Sequence, residues 1–104
     1  APDLTVTNIV HPLNAQSGEN VTVRFQVTNN GEAATTALYW SDAVYISAEE
    51  TFSYNNATLL GTVMHSDGNL AVNQSYSDSV TGEIPIRFSG TYYVYDIRYY
   101  NIPN

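Results

Sequence analysis

The sequence predicts an all-β protein, a sandwich of two antiparallel sheets. Short stretches that alternate apolar and polar residues recur about every ten residues, and none of them has a helical period. Gly, Pro, Asn, Asp and Ser, which form turns, cluster between these stretches. Thr, Val, Tyr, Asn and Ser are abundant overall, and this composition favours strands and turns.

The first two strands are predicted over Asp3 to Val10 and Asn20 to Thr28. In the first, Ile9 breaks the alternation, which indicates a bulge or a change of sheet partner. His11-Pro12 should end this strand because Pro has no backbone donor for the ladder. The second strand alternates most strictly and should be closed by the turn residues Asn29, Asn30 and Gly31.

The next two strands, Ala43 to Ser47 and Ala57 to Met64, are joined by a polar loop, Ala48 to Asn56. Asp42 falls on the same side as the apolar Trp40 and Val44. Because a carboxylate in a core is costly, we expect Ser41 and Asp42 to form a bulge or bend. Asp42 would accept backbone N–H bonds there.

The last two strands are predicted over Gln74 to Pro85 and Thr91 to Tyr100. Six or seven strands at this spacing indicate an immunoglobulin-like sandwich. Tyr92 or Tyr93 is then a candidate for the tyrosine corner of such folds. We expect residues 1–104 to be a single domain and a piece of a longer protein. The predicted core comprises Leu4, Val6, Val21, Val23, Phe25, Val27, Trp40, Val44, Ile46, Leu59, Val80 and Val94.

Charge and composition argue against several classes of function. Ten Asp and Glu stand against three Arg, and there is no Lys, so the net charge is -7. Nucleic acids and anionic lipids need a basic surface, so neither is an expected partner. The absence of Cys excludes disulfides and thiol catalysis. No apolar run approaches the roughly 20 residues of a membrane helix, so we expect no membrane insertion.

Catalysis is not expected either. His11 and His65 are the only imidazoles, and no GxSxG motif accompanies them. Two distant His without Cys do not make a zinc site. Glu49 and Glu50 are adjacent, and on a strand they would point to opposite faces. We therefore predict no catalytic, cofactor-binding or metal-binding residue.

Two ligand-binding alternatives remain open. Calcium prefers oxygen ligands, which loops sharing one end of the sandwich would supply from Asp42, Glu49, Asn55, Asn56 and Asp67. A glycan would stack on exposed rings, and Tyr54 in the polar loop is the best exposed candidate. The other ring candidates are Tyr39, Trp40, Tyr45 and the Tyr99-Tyr100 pair, although such residues also build the core of any sandwich. Asn20, Asn56 and Asn73 match the N-glycosylation pattern. Such matches arise by chance in a chain rich in Asn and Thr, so we draw no glycosylation site from them.

Several motifs together resemble the bacterial cell-adhesion-related family CARDB. They are PDLTV from Pro2, NVTVRFQVTNNG from Asn20, WSDAVYIS from Trp40, TLLGTV from Thr58 and GTYYVY from Gly90, in the order of the family. The resemblance implies an immunoglobulin-like, non-catalytic extracellular module. Family members often carry Asp in the loop that here reads AEETFSYNNA, and they usually add a strand after GTYYVY.

The expected function is therefore that of a structural or adhesion-associated module, a spacer or interaction domain of a larger secreted or surface protein. The alternative is a ligand-binding module for a glycan or calcium. Neighbouring domains of the parent protein are the expected partners. Only residues 101–104 follow Tyr100, so a seventh strand is not visible, and the open edge of the last strand would recruit a strand from another chain.

Overall fold

The computed structural model describes residues 1–12, 15–86 and 92–99, with the backbone alone for residues 98 and 99. Within these ranges the chain forms six strands. They are β1 (Leu4–Val10), β2 (Asn20–Asn29), β3 (Trp40–Ser47), β4 (Ala57–His65), β5 (Ser75–Glu83) and β6 (Tyr93–Tyr99).

The strands form two antiparallel sheets of three, in the orders β1-β2-β5 and β4-β3-β6. The predicted all-β, two-sheet sandwich is confirmed. β3 and β4 pair as a hairpin, and β4 and β5 bring the two sheets together along one side. No seventh strand occurs among the described residues.

The core lies between the inner faces and follows the alternation in the sequence. Val23, Val27, Val44 and Ile46 are almost fully buried, with Val21, Phe25 and Val80 around them. Leu4, Val6 and Val94 are half-buried and pack against this core. Trp40 belongs to an adjoining apolar cluster with Ala37 and Leu70, which Leu4 also contacts.

The assignment of Leu59 to the core is wrong. Val44 pairs with Gly61 but Tyr45 pairs with Leu59, so Leu60 is an extra residue in β4. This bulge reverses which Leu faces inward: Leu60 is only 9% exposed, whereas Leu59 is 49% exposed. The run of two Leu in the sequence does not reveal which one the bulge selects.

The predicted bulge in β1 is confirmed, while the one in β3 is wrong. The β1–β2 register shifts between Thr7 and Val10, where Asn8 has a φ of 55°. β3 instead runs without interruption through Ser41 and Asp42, in register with both of its neighbours. Asp42 therefore lies in the core with no exposed surface.

The turn after β2 is held by a side chain rather than by a left-handed backbone. The buried Asn29 Oδ1 accepts from the amides of Asp3 and Gly31, at 3.1 and 3.0 Å. Its Nδ2 donates to the carbonyls of Ala33 and Leu70, at 2.8 and 3.1 Å. One amide thus ties the start of the chain and two loops to the end of β2.

Gly82 allows the two sheets to meet closely. It lies on the inner face of β5, and a Cβ at this position would be 2.2 Å from the carbonyl oxygen of Leu60 in β4. Gly61 in β4 is also crowded, but its Cβ would be too close only to a side-chain atom, the Cγ1 of Val80 at 2.7 Å, while the carbonyl oxygen of Thr81 lies at an ordinary contact distance of 3.6 Å. A backbone atom cannot move aside as a side chain can.

We expect Gly82→Ala to lower the free energy of unfolding by about 3 kcal/mol, because the new methyl group forces β4 and β5 apart. Urea unfolding followed by the fluorescence of Trp40 measures the loss. Gly61→Ala is the matched control and should cost about 1 kcal/mol, since Val80 can turn away. Equal costs for the two variants would contradict the close approach at Gly82.

Candidate functional site

The outer faces of the two sheets differ in character. On the β1-β2-β5 sheet, hydroxyl groups pair across β2 and β5: Thr22 with Thr81 at 2.8 Å and Thr28 with Ser75 at 2.6 Å. The β4-β3-β6 sheet presents aromatic and aliphatic side chains instead. On β4, Leu59 and Met64 lie opposite outward-facing residues of β3 and are 49% and 54% exposed.

Four aromatic rings gather on this second face, and we call them the aromatic cluster: Tyr45, Phe52, Tyr54 and Tyr95. Tyr45 and Tyr95 are cross-strand partners on β3 and β6, and the loop after β3 supplies the other two. The ring centroid of Phe52 is 5.5 Å from that of Tyr45, 4.9 Å from that of Tyr54 and 5.2 Å from that of Tyr95. Tyr54 is the outermost ring, with 61% of its surface exposed.

Hydrogen bonds hold the loop over the sheet. Ser47 Oγ accepts from the amide of Glu49 and donates to the carbonyl of Asn56, at 3.0 and 3.1 Å. The Tyr95 hydroxyl is within hydrogen-bonding distance of the carbonyl oxygens of Glu49 and Glu50. Desolvation and the nearby Glu50 charge raise the pKa of Tyr95, so its hydroxyl remains a donor. The loop is thus fixed at both of its ends.

A second assembly is buried between the sheets. The Trp40 Nε1 donates to the Tyr76 hydroxyl at 2.8 Å, and this hydroxyl donates to Asp42 Oδ2 at 2.5 Å. His65 stacks on Tyr76, with ring centroids 4.2 Å apart, and lies 4.5 Å from the Trp40 centroid. Burial first, and then the bond to Asp42, raise the pKa of Tyr76 far above its usual value of 10.0.

The oxygen ligands suggested for calcium are not brought together. Asp42 lies in the core, whereas Glu49, Asn55, Asn56 and Asp67 are exposed loop residues. Among the described residues, no three of His, Cys, Asp and Glu approach closely enough to hold a metal ion. A calcium site that includes Asp42 is therefore not supported.

The two imidazoles occupy separate structural environments. His65 is buried in the stack with Trp40 and Tyr76, and its Nε2 lies 3.2 Å from the carbonyl oxygen of Gly68. His11 contacts Tyr92, whose hydroxyl donates to the carbonyl of Pro12 at 2.8 Å. Whether Tyr92 or Tyr93 forms a tyrosine corner stays a prediction, because such a corner would involve residues 87–91, which lie outside the described ranges.

The structure separates the rings that were candidates for glycan stacking. Trp40 has no exposed surface, so it cannot contact a ligand. Tyr39 is half-buried, and the side chains of Tyr99 and Tyr100 lie outside the described part of the chain. Tyr45 and Tyr54, in contrast, meet in the aromatic cluster.

Sequence reasoning missed Phe52 and Tyr95 in this cluster. A signal was present for Phe52, because Phe52 and Tyr54 are two rings in an otherwise polar loop. No comparable signal existed for Tyr95, since its place beside Tyr45 depends on the pairing of β3 with β6.

The glycosylation-pattern residues Asn20, Asn56 and Asn73 are all exposed.

A shallow cleft lies on the β1-β2-β5 sheet. It has a volume of about 300 Å³ and lies beside the β1 bulge, where Asn8 Nδ2 donates to Gln26 Oε1 at 2.7 Å. Arg24 and Ser77 also line it. Phe25 and Asp78 complete the lining, and the open shape of the cleft would leave a small molecule largely in contact with solvent.

Strand order and core define an immunoglobulin-like sandwich module. The CARDB family model matches residues 1–99, and the chain belongs to this family. A comparison with curated proteins found no match. Members of the family are generally extracellular or surface-associated modules. Among the described residues, no helix is long and apolar enough to cross a membrane.

We expect the domain to lose stability as the pH rises above about 10, because the unfolded chain ionises Tyr76 there while the fold keeps it protonated. The loss should be about 1 kcal/mol per pH unit, below the full single-proton slope because solvent screens this part-buried group. Tyr76→Phe should remove this part of the slope and cost about 2 kcal/mol at neutral pH, where Asp42 loses a donor. Urea unfolding of both proteins from pH 8 to 11 tests this expectation. If the free energy of unfolding falls with pH equally in the wild type and in Tyr76→Phe, the expectation is wrong.

Proposed function

We propose that this chain is a non-catalytic, adhesion-associated module of a larger secreted or surface protein. In this proposal, it contacts its partner through the outer face of the β4-β3-β6 sheet. The family membership supports the general class of module. The observation that carries the more specific proposal is the aromatic cluster on a face that the core does not need.

The burial pattern separates this face from the core. Val44 and Ile46 point inward from β3 and are fully buried, whereas Tyr45 between them points outward into the cluster. The two sheets are therefore joined without the cluster. Phe52 and Tyr54 are brought to the face by the loop, and exposed apolar groups of this kind are typical of interaction sites.

A pure spacer would need only a stable sandwich with a solvated surface. The β1-β2-β5 sheet meets that description, because its outer face carries paired hydroxyls. The β4-β3-β6 sheet does not, since Leu59, Met64 and Tyr54 are largely exposed there. This asymmetry favours an interaction domain over a passive spacer.

A second mode of association is favoured by the edge of β6. This strand pairs with β3 on one side, and no described strand lies along its other side. An unpaired edge offers backbone donors and acceptors to another strand. The proposed occupant is β6 of a second copy of this chain, and the alternative is an extended segment of a neighbouring domain.

We expect pairing through β6 to make the domain dimerise as its concentration rises. Light scattering would report the mass, and amide hydrogen exchange would show stronger protection of residues 93–99 in the dimer. A folded monomer at every concentration, with unchanged exchange in β6, would contradict pairing between copies. Protection that appears instead on adding a neighbouring domain would assign the edge to that domain, and it would likewise overturn pairing between copies.

We expect beads coated with the domain to be retained under flow on at least one of three surfaces: a polysaccharide film, a layer of fibrous extracellular protein or a zwitterionic lipid bilayer. The double variant Tyr54→Ser/Leu59→Ser should reduce retention about tenfold, because it removes the exposed apolar area from the outer face. Val10→Ser is the matched control, since Val10 is an exposed apolar residue of the other sheet.

Unchanged melting midpoints for both variants would establish that folding is not the cause of any difference. Retention of wild-type beads on none of the surfaces would overturn the proposal. Equal retention of wild-type and double-variant beads on every surface would also overturn it, because the binding would then lie elsewhere.

A further inference from the structure

We propose that the aromatic cluster binds an extended, uncharged polysaccharide, with Tyr54 as the ring on which a sugar stacks. This inference rests on the proposed function and names the ligand class of the same face. It follows from the spacing of the rings, the fixed position of the loop, the polar residues of that loop and the charge of the chain.

The spacing of the rings excludes a cage for a cationic group. Aromatic cages hold an ammonium ion between ring faces. Here the centroids of Phe52 and Tyr54 are 4.9 Å apart and those of Tyr45 and Tyr54 are 5.6 Å apart, with interplanar angles of 78° and 80°. The rings pack edge to face on one another and leave no room between them. A ligand must therefore lie on the outside of the cluster.

Tyr54 is the ring available to such a ligand. It is 61% exposed, whereas Tyr45, Phe52 and Tyr95 are half-buried beneath or beside it. An amphipathic ring with one supported side presents apolar surface to the C–H groups of a sugar and a hydroxyl to its polar groups. The edge contacts from Tyr45 and Phe52 hold this ring in place.

The loop is fixed before any ligand binds. Ser47 ties both of its ends, and the Tyr95 hydroxyl contacts the carbonyls of Glu49 and Glu50. The amide of Asn56 also donates to the carbonyl of Ser53 at 3.0 Å. A surface that is ordered beforehand loses little conformational entropy on binding, which matters most for weak ligands.

Exposed polar residues lie in the same loop as Tyr54. Glu49, Glu50, Asn55 and Asn56 are all exposed and belong to the same short loop as Tyr54. Amides and carboxylates accept hydrogen bonds from hydroxyl groups, and amides also donate them. Protein interfaces, in contrast, are depleted of acidic residues at their centres. This combination of rings with Asn and Glu therefore favours a polyhydroxylated ligand over a protein.

Charge then limits the kind of polysaccharide. The chain carries a net charge of -7, and the loop itself contributes two carboxylates. Arg24 is exposed but belongs to β2 of the other sheet. Polyanionic glycans would be repelled from the cluster. The open surface also suits the interior of a long chain better than a chain end, which would require a pocket.

The experiment is native affinity electrophoresis of the domain through gels containing neutral polysaccharides: a β-glucan, a xylan, a glucomannan and an α-glucan. Alginate and heparin serve as polyanionic comparisons. We expect at least one neutral polysaccharide to retard the domain, with a dissociation constant on the order of 10⁻⁴ to 10⁻³ M. The polyanions should not retard it.

Three variants distinguish the loss of sugar stacking from other causes of weaker binding. Tyr54→Ala should weaken binding about tenfold, because the exposed ring is lost. Tyr54→Phe should retain most of the binding, since the ring remains. Val10→Ala is the matched control, since Val10 is an exposed apolar residue of the other sheet, and it should bind like the wild type. Thermal melts followed by Trp40 fluorescence would verify that each variant folds.

Absence of retardation in every neutral gel would overturn the polysaccharide inference, as would equal retardation of wild type and Tyr54→Ala. Retention of beads on the protein layer, lost in the Tyr54→Ser/Leu59→Ser variant, would then keep the proposed function and assign the face to a protein partner. Failure of both experiments would overturn the inference and the proposed function together. Retardation by the polyanions alone would overturn the argument from charge.

Discussion

A single phenol hydroxyl joins the two sheets, and much of the structure depends on it. Tyr76 belongs to β5 in one sheet, while its partners Trp40 and Asp42 belong to β3 in the other. A buried carboxylate is costly unless it receives hydrogen bonds, and a donor that is itself polarised by a second donor is well suited to it. Because Asp42 needs this hydrogen bond from Tyr76, the position of β5 relative to β3 is fixed.

The same assembly also holds the end of β4 in place. His65, at the end of β4, stacks on Tyr76 and contacts Trp40, so β4 is held to this end of the sandwich as well. Away from this end, Gly61 in β4 and Gly82 in β5 let the two sheets approach at Val80 and Leu60. Polar contacts at one end and close packing further along thus hold the sheets in one arrangement.

Because the inner faces close the core by themselves, the outer face of the β4-β3-β6 sheet is available for another role. Tyr45 and Tyr95 form a base on the strands, and Phe52 and Tyr54 are added from the loop. The loop is held to the sheet by Ser47 and Tyr95. A rigid sheet that supports a short, fixed loop is a common way to position binding residues.

The sequence by itself determined the class of fold and the face of most strand residues. Strict alternation in β2 placed Val23 and Val27 inside, because successive side chains in a strand point to opposite faces. Only the tertiary structure decided the choice between Leu59 and Leu60, the burial of Asp42 and the joining of Tyr95 to the loop rings. The reason is that a bulge, a buried hydrogen bond and a cross-strand pair each need a partner that is distant in sequence. Periodicity reports the faces of one strand and cannot identify its neighbours.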